Sequence, residues 1–275
     1  MQGRLLPKYK GRYQAHPVGY WQREFYLAAD LGLDMLEFIL DHADSDKNPL
    51  MSESGIEEIR QLSANTGVAV KTICADYFME APLHSSFDSV TKQSQKVLTK
   101  LIENVSKIGV CDIVIPCIDK SRLADDKALN LFSENLKPTL EEAEKFGVNL
   151  ALETDLAPGP FTDLLDKLDS LRITVNYDTG NSASLGYDPA EELAAYGDRI
   201  SDIHIKDRLR DGGSVFLGTG ATDFERFFSA LAETNYSGPF IMQAYRDDEG
   251  IEIFEKQLAW IKPRIEAWSS KRDPR

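Results

Sequence analysis

Four residues with cation-binding side chains each close an apolar run: Glu153 after NLAL, Asp178 after TVNY, His204 after SDI and Gln243 after PFIM. Oxygen donors with a single imidazole suit a divalent cation. A cation held beside a carboxylate polarises a carbonyl while the carboxylate takes a proton from the neighbouring carbon. The stretch after His204, IKDRLRDGGSVFLGTGATDF, adds Lys206, Arg208 and Arg210. These three either hold a substrate oxygen or phosphate, or form an ordinary salt-bridged surface loop. Gly218 and Gly220 are placed to bring backbone N–H groups to an anion, while Asp223 reads as a helix N-cap. Glu37 stands inside the apolar run DMLEFIL, where it either lines a pocket and binds a hydroxyl or pairs with an arginine such as Arg4. His16, His42 and His84 fall in loops and read as surface histidines.

Strands followed by helices must carry these residues. The pattern predicts strands over 1–6, 34–40, 68–74, 112–116, 148–153, 172–177, 201–205 and 239–243. Helices are expected over 21–31, 52–66, 87–108, 123–146, 163–168, 189–196, 224–234 and 253–268, with Pro138 kinking or dividing the fourth. A glycine-containing turn is expected after Asp178. Eight alternating units without a linker imply a (β/α)8 barrel as one domain over 1–268, followed by a polar, frayed tail over 269–275. No GxGxxG follows the first strand, which argues against a doubly wound sheet. Barrel chemistry sits at the C-terminal strand ends, where Glu153, Asp178, His204 and Gln243 fall on consecutive strands.

Composition excludes several partners. The 275 residues carry a net charge of −14, which opposes nucleic-acid binding. Three cysteines without CxxC spacing fit a reducing, cytoplasmic setting, and Cys111 and Cys117 are expected to be buried. No signal core or run of membrane-spanning length is present. The expected partner is a small molecule.

ALETD, NYDTGNSASLG, DIHIKDR, LGTGATDF and GPFIMQ, in this order and spacing, resemble the xylose isomerase-like barrel superfamily. They look closest to its sugar and sugar-phosphate isomerase and epimerase branch, and the resemblance runs over nearly the whole chain. It implies a metal-dependent isomerase or epimerase of a small sugar or sugar phosphate, working through an enediolate. It implies metal ligands Glu153, Asp178, His204 and Gln243 for Mn2+ or Mg2+, with Co2+ or Zn2+ as further options. Glu153 and Gln243 are the implied catalytic positions, and Glu153 is the implied general base. Glu37, Asn181, Lys206, Arg208 and Arg210 are the implied substrate-binding residues, with a homo-oligomer as the implied assembly. Gln243 departs from the family pattern, which has a glutamate there, and an amide cannot accept a proton. The departure favours isomerisation by one base, or epimerisation with Glu37 or Asp76 as second acid. A keto-sugar or keto-inositol dehydratase, or a degenerate sugar-binding barrel, remain as alternatives.

Overall fold

The computed structural model describes residues 1–2, 5–246 and 250–272, grouped in two compact units. The first unit spans 1–156 and 163–174; the second spans 157–162 and 175–275.

In the first unit, α1 (Arg23–Asp30) precedes β1 (Met35–Ile39), α2 (Glu53–Thr66), β2 (Ala69–Cys74), the single turn α3 (Tyr77–Glu80) and α4 (Asp88–Ser106). Then come β3 (Asp112–Cys117), α5 (Asp126–Phe146) and β4 (Asn149–Thr154). The four strands pair in parallel and in sequence order. β3, DIVIPC, is buried at all six positions, as a strand covered on both faces must be. Each of its Ile and Val side chains contributes roughly 1.5–3 kcal/mol by leaving water.

Local signals set the ends. Ser52 accepts the Gly55 N–H at the start of α2, and Gly67 closes it at φ 76°, a conformation a side chain would strain. Asp125 caps α5, which runs unbroken through Pro138. The proline removes one backbone bond, but Phe132 and Leu136 before it and Thr139 and Ala143 after it are buried and hold both halves in line.

α6 (Pro158–Leu168) and β5 (Ile173–Asp178) carry the chain from one unit to the other. The second unit continues with α7 (Thr179–Leu185), α8 (Pro189–Tyr196), β6 (Ile200–Ile205), α9 (Phe224–Leu231), β7 (Phe240–Met242) and α10 (Glu252–Arg272). β5, β6 and β7 are again parallel neighbours. Asp188 caps α8 with Pro189 in its first turn, and Asp223 caps α9.

Several expectations change. The turn expected after Asp178 is the helix α7, because the Asp178 carboxylate caps it. The first expected strand is reduced, among the described residues, to one parallel bridge between Gln2 and Glu37; Gly3 and Arg4 lie outside those residues. The seven named strands are therefore one fewer than the sequence pattern suggested. α10 extends to Arg272, so the polar segment 269–272 is helical, and 273–275 lie outside the description. Cys74 and Cys117 are buried, but Cys111 is exposed.

His16 is not a surface residue. It is 5% exposed, with its ring centroid 5.3 Å from Phe38 and 6.0 Å from Trp21. Burial lowers its pKa to about 4. The unfolded chain therefore takes up the proton first, and stability drains as pH falls from about 6.5 through about 4. Urea unfolding of wild type and His16→Gln across that range should show a pH-dependent difference approaching about 3 kcal/mol. Parallel pH profiles would contradict it.

Candidate metal and substrate site

Asp178 ends β5 and is the register partner of His204 on β6, so both side chains leave the same face of paired strands. Thr179 ties these ends together: its hydroxyl donates to Lys206 O at 2.7 Å and accepts from Lys206 N at 3.0 Å. Asp178 Oδ1 accepts the Gly180 and Asn181 N–H groups at 2.9 and 2.8 Å. That leaves Oδ2 turned toward His204 Nδ1, 4.0 Å away. Donors about 2.0–2.3 Å from one cation lie about 3–4.5 Å apart, so the Asp178 carboxylate and the His204 ring stand close enough to serve one ion. The His204 ring is fully buried and held by Asn176 Nδ2, 3.2 Å from Nδ1. Carboxylates and an imidazole suited to a divalent cation are thus present.

Gln243 follows β7, its N–H donating to Ile205 O at 3.0 Å. Its side-chain Oε1 accepts from Lys206 Nζ at 2.6 Å, and the same ammonium lies 3.5 Å from Asp178 Oδ2. The second unit therefore gathers Asp178, His204, Lys206 and Gln243 at three neighbouring strand ends. Arg208 turns elsewhere, donating to Asn181 Oδ1 at 2.9 Å and to Gly212 O at 2.8 Å. Arg210 is exposed and lies over Gly186, whose missing side chain leaves room for the guanidinium. Lys206, Arg208 and Arg210 thus have three different environments.

Gly218 and Gly220 do present N–H groups to an anion, and that anion is Asp207. The fully buried Asp207 carboxylate accepts from Gly218 N at 2.9 Å, Gly220 N at 2.8 Å and Thr222 N at 3.0 Å. A Cβ at Gly220 would come within 2.3 Å of Asp207 Oδ1. The LGTG stretch is a cradle for the chain's own carboxylate, and this is what folds the long loop after β6.

The first unit supplies the other predicted carboxylates. Glu153, one residue before the end of β4, is buried and opposite Pro116 of β3. Glu37 in β1 is 1% exposed. Burial pushes the Cys74 thiol well up, and Asp76, Glu37 and Glu153 push it further. The Cys74 thiol thus lies in the field of three carboxylates. Asp76 accepts from Gln14 Nε2 at 3.0 Å and from Cys74 Sγ at 3.2 Å, and burial raises its carboxyl pKa despite both bonds. Cys117 is likewise raised by burial, then by Glu153 and Asp155.

One cluster escaped the sequence reading. Glu192 of α8 is buried and accepts from Tyr177 OH at 2.8 Å, Tyr196 OH at 2.9 Å and the Ser182 hydroxyl. Burial raises its pKa, against the three hydroxyls, and Tyr177 stacks on Phe227 at 5.5 Å. The network ties α8 to the residue before Asp178. Its signal was available: Glu192 and Tyr196 lie four apart on one helix face, beside the buried Leu193.

Residues 25–264 match the model of the xylose isomerase-like TIM barrel family. The chain belongs to that family. L-ribulose-5-phosphate 3-epimerase UlaE of Escherichia coli (strain K12) is 28% identical over 268 residues, covering 92% of this chain and 93% of that protein. D-psicose 3-epimerase, solved in the presence of D-fructose, superposes with a TM-score of 0.72 at 16% identity, covering 89% of this chain and 93% of that one. A xylose isomerase-like TIM barrel protein from Mycobacterium smegmatis, in complex with magnesium, gives 0.69 at 18% identity, covering 94% and 90%. The fold is that of the TIM barrel.

Asp207 offers a direct check on the cradle. Asp207→Ala should lose about 2–4 kcal/mol in chemical denaturation and speed proteolysis within 208–223, while Asp207→Asn, keeping one acceptor oxygen, should lose less. Equal stability of Asp207→Ala and wild type would contradict this role.

Proposed function

We propose that the protein is a divalent-cation-dependent epimerase or isomerase of a small ketose or ketose phosphate. The observation that carries this reading is the Asp178–His204 pair: one carboxylate oxygen fixed by two backbone N–H groups, the other 4.0 Å from His204 Nδ1. The epimerase named among the relatives, matching over 92% of this chain, supports it. Asp178 and His204 would hold the cation together with Glu153, and Mn2+ or Mg2+ suits that donor set best. The bound cation supplies Lewis acidity toward a carbonyl and its neighbouring hydroxyl.

The chain's own residues do the rest. Glu153 removes the proton from the carbon next to the carbonyl, leaving an enediolate. Lys206 binds a substrate oxygen and Glu37 takes a hydroxyl, whereas Arg208 and Asn181, bonded to each other, and Arg210, lying over Gly186, would reach a substrate only by leaving those contacts. Epimerisation needs the proton returned on the opposite face. Gln243 cannot return it, whereas Asp76 has its carboxyl raised by burial, which suits an acid. A 1,2-isomerisation, with Glu153 both taking and delivering the proton, is the second reading, and the amide at Gln243 favours it. Among the described residues no helix is long and apolar enough to cross a membrane.

The test is turnover of L-ribulose 5-phosphate with Mn2+ in deuterium oxide. A xylulose 5-phosphate carrying deuterium at C3 marks epimerisation, and an aldose phosphate, with any incorporated deuterium at C2, marks isomerisation. Glu153→Gln should lower the rate by about 10²–10⁴-fold with an unchanged circular dichroism spectrum. A near-normal rate in that variant would remove Glu153 as the base.

A further inference from the structure

The amide at position 243 and the ammonium of Lys206 form one device. Lys206 Nζ donates to Gln243 Oε1 at 2.6 Å and sits 3.5 Å from Asp178 Oδ2, with the lysine side chain 12% exposed. The lysine stem is guided there: its backbone is clamped by Thr179, and it passes over Gly180, where a Cβ would come within 2.8 Å of Lys206 Cγ. A side chain at position 180 would displace the lysine. The first residue of α7 and the glycine beside it thus aim the ammonium at the end of β7.

An ammonium and a divalent cation compete for the same oxygen. A cation ligated by Gln243 Oε1 would lie about 4 Å from Lys206 Nζ, where three units of positive charge share one neutral acceptor. A glutamate at 243 would offset that repulsion, but a neutral amide does not. Among the acceptors around Nζ, the carbonyl of Gln243 is the shortest, and it is neutral, so the ammonium's charge stays available to a further oxygen.

We propose that Gln243 is a positioning residue for Lys206 rather than a cation ligand, and that the Lys206 ammonium binds the substrate oxygen on which negative charge develops. The proposal rests on the sugar epimerase or isomerase reading for the substrate and on the structure alone for the Lys206–Gln243 pair. The site would then have three protein ligands for its cation and a fixed organic cation beside them. An ammonium in that place stabilises an enediolate oxygen more than a ketose hydroxyl, so its effect falls on kcat more than on KM.

The experiment compares wild type with Lys206→Met, Gln243→Leu and the double variant. Calorimetry with Mn2+ alone reads the cation site, and turnover of L-ribulose 5-phosphate reads the chemistry. Gln243→Leu should leave the Mn2+ dissociation constant within about threefold, and Lys206→Met should tighten it by about tenfold, because Asp178 loses its ammonium neighbour. Each single variant should lose about tenfold or more in kcat with a smaller change in KM, and the double variant should be no worse than the poorer single. Lys206→Arg, which keeps the charge, should recover part of the loss. Mn2+ binding weakened tenfold or more by Gln243→Leu would make the amide a ligand and overturn the proposal. Losses in kcat that multiply in the double variant would overturn it too. If wild type binds Mn2+ but turns over no ketose, the sugar reading fails, and the Mn2+ arm still decides whether the amide serves the lysine or the metal.

Discussion

Buried carboxylates are the constraint on which this structure turns. An ionised carboxylate removed from water costs several kcal/mol unless donors or a cation replace the lost hydration. This chain buries many of them, and three of them are satisfied in different ways. Asp207 receives three backbone N–H groups and organises a loop. Glu192 receives three hydroxyls and ties a helix to a strand end. Asp178 is satisfied on one oxygen only by backbone, and its other oxygen faces an imidazole and an ammonium. The way each carboxylate is satisfied separates Asp207 and Glu192, whose partners hold the fold, from Asp178, which keeps one oxygen turned toward a ring and an ammonium.

The same logic explains why the candidate site residues stand at strand ends. A parallel strand covered on both faces is mostly apolar along its middle, as IVIP of β3 shows, and its C-terminal end opens onto loops and helix N-termini. There Asp178 can cap α7 with one oxygen and keep the other for a ligand. Thr179 and Gly180, directly after it, fix the β6 end and leave space for Lys206. One short stretch, DTGN, therefore positions Lys206 and Arg208 besides its own side chains.

Much of this was legible from residues. Caps at Ser52, Asp188 and Asp223 and the glycine at 67 fixed helix ends to within a residue or so. Apolar runs ending in Asp178 and His204 located the paired strands because neighbours in a parallel sheet share faces. What escaped reading was pairing between distant residues. LGTG looked like an anion cradle, and it is one, but its anion comes from Asp207, eleven residues before Gly218. Lys206, Arg208 and Arg210 looked like one basic cluster; a loop that doubles back on Asp207 sends them to three environments. His16 looked exposed because loops usually are, yet Trp21 and Phe38 close over it. The N-terminal stretch reads as a strand by composition, but pairing rather than composition makes a strand, and Gln2 forms a single bridge.

Asp178 and His204 are proposed to bind one divalent cation. Anomalous X-ray diffraction from crystals grown with Mn2+ tests it most directly. A single strong manganese peak is expected about 2.0–2.3 Å from both side chains. A saturated crystal with its manganese bound elsewhere, or with Asp178 and His204 bonded only to protein, would contradict it.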